Sequence, residues 1–189
     1  PQGEKMENIR LRTAAAGILI LCAGNGAAQD LVLSSKEMKK QLTEDQVYSG
    51  FGCTGKNISP SLSWAGAPTE TKSFAITVFD PDARKGRGWW HWLIFNIPAG
   101  IQELSADAGN MEKNLVPEGC VQSVTDFGKP GFGGACPPIG EIPHRYIFTV
   151  YALAVEKLDL NENASPRKVE SALEKHALSR AALMSYYGR

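Results

Sequence analysis

The chain of 189 residues carries 20 Lys and Arg against 20 Asp and Glu, a formal net charge of zero at pH 7. With 43% apolar and 21% charged residues, it has the make-up of an ordinary globular domain rather than a disordered or fibrous chain. No basic cluster or basic helix face stands out, so nothing calls for nucleic acid or for charge-driven binding to an anionic membrane.

In chain order, Arg10 and Arg12 precede an uncharged run from Thr13 to Cys22, and small residues follow from Ala23 to Ala28. Basic start, short apolar stretch and small-residue end form the pattern of a secretory signal. The run falls short of the roughly 20 residues that span a bilayer. Residues 1–28 therefore read as upstream residues and signal peptide, with Met6 as the translation start. Residues 29–189 read as one domain, periplasmic or secreted, with no stable membrane insertion after cleavage. Three cysteines remain, Cys53, Cys120 and Cys136. In an oxidising compartment they allow one bridge and one leftover thiol, and the residues alone do not choose the pair.

The body alternates with period two. Ser73 to Phe79 puts Phe74, Ile76 and Val78 on one face of a predicted strand, and Leu93 to Ile97, stopped by Pro98, predicts a second. Period two also groups His91 with Leu93 and Phe95, and Trp90 with Trp92 and Ile94. Arg145 to Val155, rich in β-branched and aromatic residues, predicts a central strand. The end changes period: Ser165-Pro166 opens a helix expected to run to about Met184, with Val169, Leu173, Ala177 and Leu183 at helical spacing. Strands followed by a closing helix predict a mainly β fold, an antiparallel sandwich with helix packed at one end.

Two distant stretches carry the chemistry. One holds Asp80-Pro81-Asp82 and Gly88-Trp89-Trp90-His91-Trp92; the other holds Cys136-Pro137-Pro138 and Pro143-His144-Arg145-Tyr146. Each histidine stands near the start of a predicted strand and Asp80 at the end of one, so all three belong on the rim of a sheet. Prolines fix turns, aromatics supply walls, and carboxylate plus imidazole supply the strong polar handles of a pocket. Taken singly, each histidine reads equally well as a hydrogen-bonded edge residue, Asp80 as a turn opener, and the tryptophans as core. Asp80, His91 and His144 are also the ligand types of a two-His, one-carboxylate metal centre, or the base and orienter of a hydrolase. No Gly-x-Ser-x-Gly or His-Glu-x-x-His pattern accompanies them. The remaining reading is an anion hole: Asp80 holds one imidazole protonated, and the imidazolium, the Tyr146 hydroxyl and turn amides donate to a phosphate or carboxylate.

At these residues the chain resembles the phosphatidylethanolamine-binding protein family, in its bacterial, Raf-kinase-inhibitor-like branch. The resemblance runs through Asn57-Ile58-Ser59-Pro60-Ser61-Leu62-Ser63-Trp64, the two stretches above, Asn96-Ile97-Pro98 and the ending Tyr187-Gly188-Arg189. It implies a β-sandwich of a large and a smaller sheet with a C-terminal helix. It also implies a shallow anion-accepting pocket built from Asp80, His91, Pro138, His144 and Tyr146, with Trp89 in the wall and Tyr187 contributed by the C-terminal segment. Exported relatives imply the bridge Cys53–Cys136, and some dimerise, so a homodimer joins the expectations. Members are described as head-group binders or as kinase or protease inhibitors. An exported chain cannot meet a cytosolic kinase of its own cell. The resulting expectation is a non-enzymatic binder of small anionic or phosphate-bearing ligands, without metal or cofactor, whose output is modulation of a partner protein. The chain departs from the family at Arg84, where a proline is usual, and Lys85 and Arg87 make that rim loop more basic.

Overall fold

The computed structural model describes residues 30–189; the signal-peptide reading and the start near Gln29 lie outside the described residues. Three strands dominate: β5 (Ser73–Asp80), β6 (Trp89–Pro98) and β9 (His144–Leu153). With β8 (Val121–Gln122) and β10 (Ala177–Tyr187) they form an antiparallel sheet in the order β10-β9-β5-β6-β8. Against it lies a smaller sheet ordered β1-β4-β7, from β1 (Val32–Ser34), β4 (Leu62–Ala65) and β7 (Glu103–Leu104). A hairpin of β2 (Ser49–Gly50) and β3 (Cys53–Thr54) stands apart. The fold is the expected mainly β sandwich.

Period two fixes which side chains meet. Phe74, Ile76 and Val78 of β5, with Tyr146, Phe148 and Val150 of β9, pack against Leu33, Leu62, Trp64 and Leu104 of the smaller sheet. The opposite face of β5, β6 and β9 presents Ala75, Leu93, Phe95 and Leu153 to Val169 and Leu173 of helix α2 (Pro166–His176). The helix therefore covers the far face of the large sheet, giving three layers. The connection between β5 and β6 carries one short turn, α1 (Ala83–Gly86).

Two expectations are corrected. The C-terminal helix stops at His176, not near Met184, and Ala177–Tyr187 is a strand paired with β9 from Leu153 to His144. Its Ala and Leu content favours helix locally, but pairing with β9 overrides that weak preference. Ala181, Leu183 and Tyr187 reach the sandwich core from alternate positions, a period-two signal obscured by the helical spacing of Val169 and Leu173. Ser165 starts the helix as expected, yet its side chain makes no cap hydrogen bond; its carbonyl takes the amides of Lys168 and Val169 instead.

The second correction concerns His91. Val78 pairs with Trp92, but Phe79 pairs with Trp90, so His91 is the extra residue of a β-bulge. The bulge puts His91 on the same side as Trp92, against Tyr146, while Trp90 and Leu93 face the helix layer. The expected grouping of His91 with Leu93 and Phe95 does not hold.

Candidate functional site

Antiparallel pairing brings the end of β5, the start of β6 and the start of β9 to one edge of the sheet, which is how residues 64 positions apart meet. Asp80 Oδ2 lies 2.8 Å from His144 Nδ1, with both side chains 3% exposed. Asp80 Oδ1 accepts the amides of Asp82 and Ala83 at 2.8 and 3.0 Å. Asp80 is thus a turn opener and an imidazole partner at once. Asp82 repeats the logic one step outward: it accepts the Arg145 amide at 2.8 Å and takes the guanidinium through both carboxylate oxygens. The hydrogen bond from Arg145 holds the Asp82 carboxyl below its usual range. Asp80 with His144, and Asp82 with Arg145, form two matched pairs that lock the turn after β5 onto the start of β9.

The histidines are driven apart in protonation. Burial opposes charge on His144, but its hydrogen bonds to Asp80 and Glu141 outweigh this and raise its pKa. His144 Nε2 lies 2.9 Å from Glu141 Oε2, so the ring stands between two carboxylates and donates to both as an imidazolium. His91 is pushed the other way, by burial above all. Its Nδ1 lies 2.6 Å from the Gly133 carbonyl, which can only accept, so the ring is the neutral Nδ1–H tautomer. Gly133 donates its own amide to the His91 carbonyl at 2.8 Å, gripping the bulge from the opposite edge. Both imidazoles are buried, below the rim where the sequence placed them.

Around them is a cavity of about 390 Å³ lined by Asp80, His91, His144, Tyr146, Glu141 and Pro138, and walled by Trp89, Phe127, Phe51 and Pro137. Phe51 and Phe127 stack at 5.8 Å, and Trp89 and His91 meet Phe127 edge-on at 5.3 and 5.4 Å. The Tyr146 hydroxyl is held protonated, first by burial and then by the charge of Asp80. Arg84 and Lys85 line the mouth. Both adopt left-handed backbone, with φ of 52° and 58°, which a proline at position 84 could not reach. Arg84 stacks 4.0 Å over Trp89 and lies 3.6 Å from Asp126. Gly88, at φ 80°, closes the loop where a Cβ would strike the Phe79 ring.

Of the sequence-predicted site residues, Asp80, Trp89, His91, Pro138, His144 and Tyr146 all line this cavity. Tyr187 does not: its hydroxyl donates to Glu44 at 3.2 Å. The C-terminal segment acts instead through Arg189, whose guanidinium donates to the carbonyls of Pro137, Gly52 and Phe51 and gathers one wall. Phe51, Phe127 and Glu141 were not anticipated. Glu141 had one signal, its place three residues before His144 in a turn between two prolines.

Cys53 and Cys136 are bridged, with Cα atoms 6.0 Å apart, as the resemblance implied. Cys120 is a half-buried free thiol whose pKa burial pushes up to about 11, so it is unreactive at neutral pH. Among the described residues no three His, Cys, Asp or Glu side chains converge in a metal-holding group. His144 spends both nitrogens on carboxylates, and His91 spends one on a carbonyl.

A cavity with apolar walls and a few convergent polar groups at the strand ends of a sandwich has the build of small-molecule sites in general. The sequence model of the family described as phosphatidylethanolamine-binding protein matches residues 34–188. The chain belongs to that family. It is similar to UPF0098 protein YbcL of Escherichia coli, with 46% identity over 172 residues covering 90% of this chain and 94% of the relative. UPF0098 protein YbhB of the same organism is 45% identical over 149 residues, covering 78% and 92%. The crystal structure of E. coli YbcL, described as a new member of the mammalian PEBP family, superposes with a TM-score of 0.83 at 48% identity. That match covers 85% of this chain and 99% of the other.

Proposed function

We propose that this chain is an exported binding protein for small anions, phosphate-bearing head groups above all, which it holds without chemical change. One observation carries the reading. The Asp80 and Glu141 carboxylates hold His144 as an imidazolium at the floor of an apolar-walled cavity, with Nε2 aimed away from the buried Asp80 toward the exposed Glu141. A donor of that kind in a partly dry site takes oxyanions. The Tyr146 hydroxyl beside it and Arg84 and Lys85 at the mouth add donors and positive charge. The Cys53–Cys136 bridge fits an oxidising compartment, and with the N-terminal signal pattern supports a periplasmic or secreted location. Output through a partner protein, or through a second copy of the chain, is supported by the exposed Phe51, Ile139 and Ile142 around the pocket mouth.

The test is thermal unfolding with inorganic phosphate. At about 100 times its Kd, phosphate should add about 2.7 kcal/mol to wild-type stability and nothing to His144→Ala. A wild-type melting temperature indifferent to phosphate would sink the proposal. Native mass spectrometry of the exported form would report cleavage, bridge, oligomer and retained ligand together.

One observation favours a second reading. A charged and a neutral imidazole in one cavity are the makings of general acid–base catalysis. The bridge removes Cys136 as a nucleophile, so such a hydrolase would have to activate water. Ester or phosphomonoester turnover lost in His91→Ala would establish it.

A further inference from the structure

The nitrogen that would hold the ligand is already held. Glu141 reaches 2.9 Å from His144 Nε2, the one ring nitrogen that Asp80 leaves available. Resting on the anion-binding reading, we propose that Glu141 is an internal competitor, a carboxylate latch that every ligand anion must displace from His144 before it binds.

The two carboxylates on the imidazole are built differently. Asp80 is 3% exposed and pinned by the amides of Asp82 and Ala83, so it stays. Glu141 is 53% exposed and sits on a turn that projects from the surface, between Ile139 and Ile142 at 80% and 78% exposure. Its amide faces the Pro138 carbonyl at 3.4 Å, and the Gly140 amide donates to the Arg189 carbonyl at 3.1 Å. These bonds fix the turn's backbone and leave the Glu141 side chain free to rotate into water without disturbing the core.

Charge points the same way. With Glu141 in place the Asp80–His144–Glu141 group carries one net negative charge, which works against an anion that Arg84 and Lys85 draw to the mouth. When Glu141 swings out, the remaining pair is neutral with an imidazolium N–H pointing into an apolar cavity. The latch also satisfies that donor in the empty protein, where a buried unpaired charge-bearing N–H is costly. Every anion loses the same factor to the competition, so Glu141 sets a threshold rather than a preference: weak, abundant anions fall below it.

The experiment measures inorganic phosphate binding by calorimetry in wild type, Glu141→Gln, Glu141→Ala and His144→Ala, and the His144 imidazole titration by NMR in the first three. Because Glu141 is half in solvent, the latch is discounted to the range of a partly exposed pair, and its removal should tighten phosphate by about fivefold. Glu141→Gln keeps an acceptor and should gain less than Glu141→Ala. In both variants the His144 pKa should fall, a readout that a merely structural role for the turn would not move. Phosphate affinity unchanged or weaker in Glu141→Ala, with binding still lost in His144→Ala, would overturn the latch and leave the binding reading standing. A His144 pKa indifferent to Glu141→Gln would overturn the contact itself. No phosphate binding by any of the four proteins would overturn the binding reading, and the latch with it.

Discussion

Opening the Cys53–Cys136 bridge has a magnitude that follows from the fold. The bridge closes a segment of 83 positions, and the chain-entropy relation for a loop of that size gives about 4–5 kcal/mol of stabilisation. The native state should survive the loss, because the same segments are joined independently. Tyr48 donates its amide to the Ala135 carbonyl at 2.9 Å, Ala135 donates to Gln46 at 3.0 Å, and Arg189 spans Pro137, Gly52 and Phe51. The effect therefore falls mainly on the unfolded chain, which gains freedom and exposes more surface. Urea titrations of oxidised protein, reduced protein and the Cys53→Ala/Cys136→Ala variant, followed by tryptophan fluorescence, would measure it. Both open forms should lose about 4 kcal/mol and show a steeper denaturant dependence. In thermal unfolding this corresponds to a fall on the order of 10–15 °C. A loss under about 1 kcal/mol, or an unchanged slope, would refute the reasoning.

Two further outcomes can be checked without a ligand. His144 should titrate above 6.5 and His91 below it by NMR, and Asp80→Asn should bring His144 down. The linkage signs are opposite. His144 contributes stability that is complete below pH 6.5 and lost as pH rises through its raised folded value. His91 must be neutral to stay buried, so it costs stability as pH falls below 6.5 toward its depressed folded value. Denaturation midpoints across pH 4–9, in wild type and in each histidine variant, would reveal either sign reversed. Asn57 holds the extended segment 132–134 behind His91: its side chain donates to the Phe132 carbonyl at 3.1 Å and accepts the Gly134 amide at 2.7 Å, at φ 56°. Asn57→Ala should cost about 2–4 kcal/mol from two lost hydrogen bonds and left-handed strain. Asn57→Gly should cost visibly less in the same urea assay; equal losses would remove strain from the account.

Much of the site was legible because period two and residue type suffice for it. Asp80 ends a clean alternating strand, and His144, Tyr146 and Phe148 do share a face. His91 was placed in the right pocket with the wrong strand mates, since a bulge depends on how β6 pairs with β5 and not on β6 alone. Ala177 to Tyr187 shows the same limit, an Ala- and Leu-rich segment whose structure is decided by a neighbour far away in sequence. Glu141 and Arg189 were invisible for another reason. Long polar side chains act at a distance set by tertiary geometry, and no local pattern records where their ends arrive.

The extra residue in β6 lets a single strand serve two clients. Ahead of it Trp90 attends to the helix layer, behind it Trp92 plugs the sandwich, and His91 is spun half a period into the cavity. Removing one amino acid there would restore regular pairing between Val78 and Phe79, leaving the second shift between Phe74 and Ile76, and yet exile the imidazole or its neighbour from the cavity.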